Sequence, residues 1–286
     1  MTATPFLDLP EEYRDPERSA VAVIPVPYDG TSTWKKGADR GPDALLEASG
    51  QIELYDIETD SEPYLHGMVT LDPVRCEEGP EALADLVDAR VDEALERGQL
   101  PVVLGGEHSI SIGAIRAAAR HRPGMSVLQI DAHGDTREEY QGSAFNHACV
   151  MARARQWCPI VQVGIRAIDR SEMESLDRER VFFAHEIATT DDAWMDRVVE
   201  LLTDDVYVTV DLDAFDPSLV PATGTPEPGG LGWYPVNELL RRVVEARRVV
   251  GFDVVELLPQ PGDHASEFFA AKLTHRLLAM ILAGRA

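Results

Sequence analysis

Aspartate and histidine side chains recur in two short runs whose spacing suits metal binding. The runs are DAHGD at 131–135 and DLD at 211–213, and each follows a β-branched segment that predicts a buried strand. Side chains alternate between the two faces along an extended chain. Asp131 and His133 are therefore expected on one side, as are the two aspartates of the second run. Each run could bind one centre.

Clustered carboxylates at adjacent strand ends would repel one another unless positive charge lies among them, because unpaired buried charges are costly. Two divalent ions would balance the four carboxylates of the two runs, and His108, in the run GGEHS at 105–109, would add an imidazole donor. Mixed oxygen and imidazole ligands suit Mn²⁺, with Zn²⁺, Co²⁺, Ni²⁺ and Fe²⁺ as alternatives. The six candidate ligands are His108, Asp131, His133, Asp135, Asp211 and Asp213.

A structural interpretation of the same residues stays open at this point. Asp131 or Asp211 could cap a turn after its strand, and the histidines could be core residues with satisfied hydrogen bonds. Taken singly, each residue fits that interpretation. The combination of a DxHxD run, a DxD run and a histidine, all at predicted strand ends, favours the metal site.

Short β-branched runs alternate with longer amphipathic segments, which predicts an α/β fold with a mainly parallel sheet and helices on both faces. In such sheets, ligands bind at the carboxyl ends of the strands. The predicted strands are 21–26, 101–104, 126–130, 160–163, 206–210 and 249–255. The predicted helices include 81–97, 110–120 and 266–282.

Composition and charge limit the possible classes of function. The chain has 286 residues and carries 50 acidic against 26 basic side chains, for a formal charge of -24. Such a field attracts cations and argues against a nucleic-acid partner, although an acidic surface also serves solubility or salt tolerance. The apolar runs are too short for a membrane span, and the acidic N-terminus does not resemble an export signal. The cytoplasm is the expected compartment.

Four motifs resemble those of the ureohydrolase superfamily of arginases and agmatinases, in the same order along the chain. They are GGEHS at 105–109, DAHGD at 131–135, DLDAFDPS at 211–218 and DVVE at 253–256. The resemblance begins near residue 25, which leaves 1–20 as an N-terminal extension of a single domain spanning 1–286. It implies a three-layer α/β/α fold and two metal ions, usually manganese, joined by bridging carboxylates and a bridging hydroxide.

The family's ligand pattern, carried over to this chain, divides the six candidate ligands between two ions. One ion would be held by His108 and Asp135, and the other by His133 and Asp213. The remaining two aspartates, Asp131 and Asp211, would bridge the ions.

The same resemblance implies hydrolysis of a C–N bond in a guanidino group. The bridging hydroxide attacks the guanidinium carbon, Asp135 receives its proton, and His147 relays protons with solvent. Glu256 would form paired hydrogen bonds with the planar guanidinium. From the residues alone, His147 could instead lie on a loop surface, and Glu256 could be a surface or capping residue.

The choice of substrate depends on the stretch between DAHGD and His147. Bacterial agmatinases show a similar DAHxDxREEYxGSxxxHACVM pattern, and Phe145 suits a plain alkyl chain. Agmatine, giving putrescine and urea in polyamine biosynthesis, is therefore the predicted substrate, with guanidinobutyrate, arginine and guanidine as alternatives. Arg137 could attract a carboxylate, or it could pair with Glu138, Glu139 or a neighbouring subunit.

Other classes of protein could use the same residues. A two-metal phosphoesterase would also cluster Asp and His, but no phosphate-binding motif is visible. A metal-stabilised scaffold without activity and a one-metal deacetylase of related fold are further alternatives. Glu227 could contact substrate, pair with another subunit or merely belong to a turn. The expected partners are a small cationic guanidino compound and further copies of the chain, in a trimer or hexamer, with no nucleic acid or membrane.

Overall fold

A computed structural model describes residues 4–283, so the first three residues of the expected N-terminal extension and the end of the expected domain lie outside the described residues. Within it, strands β1 to β8 form a sheet in which every paired neighbour is parallel. The strands are β1 Val21–Val26, β2 Met68–Thr70, β3 Leu100–Gly105, β4 Ser126–Ile130, β5 Ile160–Ile165, β6 Val181–Phe183, β7 Asp205–Asp211 and β8 Arg248–Val255.

Six of these strands coincide with the predicted ones to within two residues at each end. The two that the sequence did not indicate, β2 and β6, have only three residues each and lie at the two edges of the sheet. Three residues are too few to show the periodicity on which such a prediction depends.

The helices of residues 4–283 cover the sheet on both sides. They are α1 Gly41–Ser49, α2 Pro80–Glu96, α3 Ser111–His121, α4 Val150–Ala154, α5 Arg170–Ser175, α6 Ala184–Ile187, α7 Ala193–Leu201, α8 Trp233–Ala246 and α9 Ala265–Ala283. The three predicted helices correspond to α2, α3 and α9. None of the helices in this part of the chain is long and apolar enough to cross a membrane.

Two apolar cores separate the sheet from its two helical layers. Val21 and Val23 of β1 belong to the core shared with α1, α7, α8 and α9, whereas Ala22 and Ile24 belong to the core shared with α2, α3 and α4. This alternation follows from the two-residue period of a strand that is buried on both faces. The three-layer α/β/α architecture predicted from the sequence is confirmed.

The order of the strands brings the four chemical motifs together. The sheet runs β2-β1-β3-β8-β7-β4-β5-β6, so the last two strands of the chain lie between β3 and β4. The segments that follow β3, β4, β7 and β8 carry the GGEHS, DAHGD, DLD and DVVE motifs. Because parallel strands end at the same edge, all four motifs meet at the middle of the carboxyl edge.

The segment between residue 4 and β1 packs onto the body of the fold. Phe6 and Leu7 are buried, and their backbone N–H groups donate to the hydroxyls of Thr70 (2.9 Å) and Ser49 (2.8 Å). The described part of the expected N-terminal extension therefore contributes to the core between α1 and β2.

A close backbone contact at Gly106 fixes the start of the GGEHS loop. The Gly106 N–H donates to the carbonyl of Val26 (2.9 Å), and the next N–H, of Glu107, donates to the carbonyl of Tyr28 (2.9 Å). A Cβ atom on Gly106 would lie only 1.9 Å from that Tyr28 oxygen. Glycine at this position lets the two backbones approach and thereby places His108 at the sheet edge.

We predict that Gly106→Ala destabilises the metal-free protein by about 1–3 kcal/mol or more, because the added carbon overlaps a backbone atom that cannot move freely. Thermal unfolding followed by circular dichroism should show a melting temperature several degrees below that of the unchanged protein. Gly50→Ala is the matched control, since its Cβ would meet no atom closer than 3.4 Å. Equal melting temperatures for the two variants would contradict the proposed contact.

Candidate metal and catalytic site

The six predicted ligands converge at the carboxyl edge of the sheet. His108 opens a 3₁₀ turn, His108–Ile110, just beyond β3, and Asp131 follows directly after β4. Asp211 is the last residue of β7, and Asp213 lies in the 3₁₀ turn Leu212–Ala214. Two groups of ligand atoms are close enough to hold a metal ion, and Asp131 belongs to both: His108, Asp131 and Asp135, and Asp131, His133 and Asp213.

The imidazole of His108 faces three carboxylates. Its Nδ1 lies 3.1 Å from Asp135 Oδ2, 3.2 Å from Asp131 Oδ2 and 3.4 Å from Asp211 Oδ2. This nitrogen is buried and makes no regular hydrogen bond within residues 4–283. Ligand atoms bound to one ion at ~2.1 Å are separated by about 3 Å, so these spacings fit a metal centre.

The second group contains a partly exposed histidine. His133 Nδ1 is 2.9 Å from Asp213 Oδ2 and 3.7 Å from Asp131 Oδ1, and 28% of the His133 side chain is exposed. A chain of glutamine side chains supports the shared aspartate from the opposite direction. Gln129 Nε2 donates to Asp131 Oδ2 (2.7 Å), and Gln162 Nε2 donates to Gln129 Oε1 (2.6 Å).

The prediction that strand alternation aligns each pair of side chains is wrong, because β4 ends before Asp131 and β7 ends at Asp211. The aspartates themselves bend the chain. Asp131 Oδ1 accepts from the His133 N–H (2.6 Å), and Asp211 Oδ1 accepts from the Asp213 N–H (2.8 Å). The structural interpretation therefore holds for one oxygen of each carboxylate, while the other faces the ligand cluster.

A hydrogen-bonded chain behind His108 fixes which of its nitrogens can bind metal. Thr209 Oγ1 donates to Asp253 Oδ1 (2.6 Å) and has no second proton, so it accepts from His108 Nε2–H (2.8 Å). His108 Nδ1 is then the nitrogen with the free lone pair. Support of this kind orients a histidine ligand and increases its basicity. The sequence signal was a threonine inside a buried strand, but its partner was not predictable.

The carboxylates raise the pKa of both histidines. Burial alone would lower the pKa of His108, but its close polar contacts with the three surrounding carboxylates raise that pKa well above the ordinary value. Burial also tends to lower the pKa of His133, but the negative charge of Asp213 outweighs this effect, so the pKa of His133 is raised. Both rings therefore tend to hold positive charge here when no metal is bound, which shows how strongly the site demands cations.

Two of the aspartates also hold protons more tightly than usual. Burial, together with the charge of Asp213, raises the pKa of Asp211 well above its ordinary value. Burial and the charge of Asp131 raise the pKa of Asp135 to about 6. The cluster cannot keep all of its carboxylates ionised without added positive charge, as expected from its composition.

A cavity opens beside the ligand cluster, and His147 lines it from the 3₁₀ turn His147–Cys149. Burial and the positive charge of His108 and His133 lower the pKa of His147 to about 4, so its ring is neutral at pH 7. Its Nδ1 lies 3.0 Å from Thr31 Oγ1, and its ring meets the edge of Tyr140 with centroids 6.1 Å apart. His147 is thus half-buried and lines the cavity rather than an open surface, and its relay role stays a prediction.

Asp135 and Glu256 both adopt left-handed backbone conformations, with φ of 49° and 67°. A non-glycine residue in this region costs on the order of 1–3 kcal/mol and is enriched at functional sites. Glu256 Oε1 accepts from the His108 N–H (2.8 Å), and burial followed by the charge of Glu107 raises the pKa of Glu256. Its second oxygen remains available to the cavity that it lines.

Two residues chosen for substrate specificity make contacts that the sequence did not indicate. Phe145 packs against the core beside α2, α3 and α4 and is not part of the cavity wall. Arg137 pairs with Glu172 (3.2 Å) and stacks over the ring of Tyr140 at 4.4 Å. Glu138, one of the partners considered for Arg137, instead binds the guanidinium groups of Arg153 in α4 and of Arg155 just after it.

Glu227 lines the cavity, and the backbone of its loop is bound by Arg166, a contact that the sequence did not indicate. The Arg166 guanidinium donates to the carbonyls of Glu227 (2.8 Å) and Asp213 (2.7 Å), which joins the proline-rich loop to a predicted metal ligand. The cavity has a volume of about 390 Å³. Its other walls include Trp34, Tyr140 and Ile168.

We predict that Thr209→Val weakens Mn²⁺ binding by about 10- to 100-fold, because His108 loses the acceptor that fixes its tautomer. Calorimetric titration of the metal-free protein with Mn²⁺ measures this change, and thermal unfolding checks that the strand is intact. Thr190→Val, at an exposed position, is the control with the same change of side chain. An affinity of Thr209→Val within about twofold of the control would rule out this role.

Comparisons with known proteins agree with the geometry. A family model described as the Arginase family matches residues 19–280. The N(1)-aminopropylagmatine ureohydrolase of Synechocystis sp. is 41% identical over 274 residues, which cover 91% of this chain and 88% of the relative. The agmatinase of Pyrococcus horikoshii is 33% identical over 264 residues, or 90% of each chain.

Among solved structures, the agmatine ureohydrolase of Thermoplasma volcanium superposes with a TM-score of 0.89 at 32% identity, covering 100% of this chain and 96% of that chain. The fold, the order of the motifs and the converging ligands thus point to one conclusion. The chain belongs to the arginase family, as an agmatinase-like ureohydrolase that acts on guanidino C–N bonds.

Proposed function

We propose that this chain hydrolyses the terminal guanidino group of a cationic alkylguanidine to release urea, with N(1)-aminopropylagmatine preferred over agmatine. The observation that carries the proposal is the charge of the cavity wall. Glu256 lies beside the ligand cluster, and two further carboxylates that form no ion pair with lysine or arginine among residues 4–283, Asp169 and Glu227, line the same cavity. A substrate with one guanidinium and two amines carries three positive charges to match them.

The basic side chains at the cavity are already engaged. Arg137 is neutralised by Glu172, and Lys35 lies over the ring of Trp34 at 4.9 Å from its centroid. Because Arg137 is already paired, it is not free to recognise the carboxylate of arginine or guanidinobutyrate in this arrangement. Those two alternatives are therefore disfavoured, and so is a phosphoesterase, which needs free cationic groups for its substrate.

The proposed chemistry assigns one task to each side chain around the cavity. Two divalent ions, when bound by the six ligands, would lower the pKa of water so that hydroxide is available near neutral pH. Glu256 accepts hydrogen bonds from the guanidinium and holds its carbon beside the ligand cluster. Asp135 takes up the proton lost by the nucleophile. His147, neutral and lining the cavity, takes up a proton from solvent and passes it to the departing amine.

The preferred substrate differs from the one that the sequence favoured. Agmatine was indicated by Phe145 as an apolar contact, but the apolar wall instead comprises Trp34, Tyr140 and Ile168. The Synechocystis relative, named for the aminopropyl derivative, supports the longer substrate. Agmatine is kept as the second candidate, because the Pyrococcus relative is named an agmatinase.

We predict urea release after loading with Mn²⁺, with the highest kcat/KM for N(1)-aminopropylagmatine, a lower value for agmatine, and little or no reaction with arginine, guanidinobutyrate or guanidine. A colorimetric urea assay with all five compounds gives the ranking. Glu256→Gln should lower kcat/KM for every substrate, by about 100-fold or more, because a charged hydrogen-bond acceptor for the guanidinium is lost.

Asp169→Asn separates the two leading substrates. Loss of a carboxylate that binds the distal amine should reduce kcat/KM more for N(1)-aminopropylagmatine than for agmatine. A higher kcat/KM for agmatine in the unchanged protein would reverse the proposed preference. No urea from any of the five compounds would favour the metal-stabilised scaffold.

A further inference from the structure

A second threonine and carboxylate pair lies behind His147, and the chemistry assigned above makes no use of it. Thr31 is 8% exposed and lies in the loop after β1, while Glu107 is fully buried and immediately precedes His108. Glu107 Oε1 accepts from Thr31 N–H (3.1 Å) and Thr31 Oγ1–H (2.8 Å). A buried carboxylate that neither binds metal nor faces the cavity calls for a physical reason.

Glu107 has its own local partners as well. Ser109 donates to it twice, from its N–H to Oε2 (2.7 Å) and from its Oγ to Oε1 (2.9 Å), which caps the 3₁₀ turn that begins at His108. Four donors thus converge on one carboxylate, two of them backbone N–H groups that can only donate. Burial raises the pKa of Glu107, whereas the hydrogen bonds from Ser109 and Thr31 act in the opposite direction and favour an ionised acceptor.

The direction of these hydrogen bonds decides the state of the His147 ring. Thr31 Oγ1 has one proton, which it donates to Glu107, so its lone pairs are left to accept. The two groups that reach it are the backbone N–H of His147 (3.0 Å) and His147 Nδ1 (3.0 Å). His147 Nδ1 must then carry the ring proton, and Nε2 keeps its lone pair.

We propose that Thr31 and Glu107 are positioning residues that hold His147 in the Nδ1-protonated tautomer, with Nε2 directed to the reacting groups. The threonine fixes the loop as well as the ring, because it accepts from both the backbone and the side chain of His147. Tyr140 limits rotation of the ring from another side. A proton relay needs one nitrogen that can take up and release the proton at the cavity, and this arrangement selects it.

The alternative is a protonated Glu107 that donates to Thr31, which would in turn donate to His147 Nδ1. That arrangement places the ring proton on Nε2. The two arrangements therefore differ in a quantity that can be measured without any substrate, namely the protonation state of the two ring nitrogens of His147.

The first test is a ¹⁵N NMR spectrum of the metal-free protein labelled with ¹⁵N-histidine, with the His147 signals assigned by their loss in His147→Asn. We expect a protonated Nδ1 and an unprotonated Nε2. In Thr31→Val the ring should populate both tautomers, whereas Thr31→Ser should keep the original one. Thr136→Val is a matched control, because Thr136 donates to Glu172 through the same two groups (both 3.0 Å) without contacting His147.

The second test is kinetic and rests on the proposed function. With N(1)-aminopropylagmatine and Mn²⁺, Thr31→Val should lower kcat by about tenfold or more with little change in KM, because substrate binding through Glu256 is untouched while proton delivery is impaired. Thr31→Ser should restore most of the lost kcat. Mn²⁺ affinity, measured by calorimetry, should stay within about twofold of the unchanged protein.

The outcomes separate this inference from the proposed function. An Nε2-protonated His147 in the unchanged protein, or a tautomer that Thr31→Val leaves unaltered, overturns the positioning role whatever the substrate. Failure to release urea from any guanidino compound, with the Nδ1-protonated tautomer observed and lost in Thr31→Val, refutes the proposed function and supports the positioning of the ring.

Discussion

Repulsion among buried carboxylates is the constraint on which the rest of this structure depends. Six acidic side chains with little or no exposure lie at the carboxyl edge of the sheet, and Glu256 adds a seventh at the cavity. The six are Glu107, Asp131, Asp135, Asp211, Asp213 and Asp253. No lysine or arginine forms an ion pair with these side chains within residues 4–283. The negative charge must be met by histidine, by backbone and hydroxyl donors, and by added cations.

The fold distributes these compensating groups unevenly. Glu107 and Asp253 lie behind the cluster and are satisfied by neutral donors, mainly hydroxyl and backbone N–H groups. The aspartates around His108 have fewer such partners and face its Nδ1 or one another. The difference defines two kinds of carboxylate, one that orients histidines and one that is left to bind metal.

The same device orients two histidines for opposite purposes. At His108, a threonine that donates to Asp253 accepts from Nε2 and leaves Nδ1 for a metal. At His147, a threonine that donates to Glu107 accepts from Nδ1 and leaves Nε2 for the cavity. In both cases the threonine hydroxyl lies between the carboxylate and the imidazole. It fixes the orientation of the ring without placing a full negative charge directly against it. Both carboxylates belong to the motifs themselves, Glu107 to GGEHS and Asp253 to DVVE. The motifs therefore supply the residues that orient the two histidines.

Much of this could be predicted from the sequence because it depends on local pattern. Six strands, the layered architecture and the six metal-ligand candidates followed from β-branched runs and from polar residues at their ends. The edge strands β2 and β6 were too short to show a period. The insertion of β7 and β8 between β3 and β4 is a tertiary feature, and it decides which motifs become neighbours.

The remaining errors have a common physical cause. Phe145 was assigned from its closeness in sequence to His147, but a loop can turn a side chain into the core. The partner of Arg137, Glu172, is 35 residues away and was not among those considered. Thr31 and Glu107 were not identified because they lie 76 residues apart. The single domain, the homo-oligomer and the compartment stay predictions from the sequence.

The most direct test of the central claim is an anomalous difference map from crystals of the Mn²⁺-loaded protein, recorded at the manganese absorption edge. Two peaks about 3.5–4 Å apart are predicted, one bound by His108 Nδ1 and Asp135, the other by His133 and Asp213, with Asp131 in contact with both. A single peak, or manganese bound away from these side chains, would contradict the account.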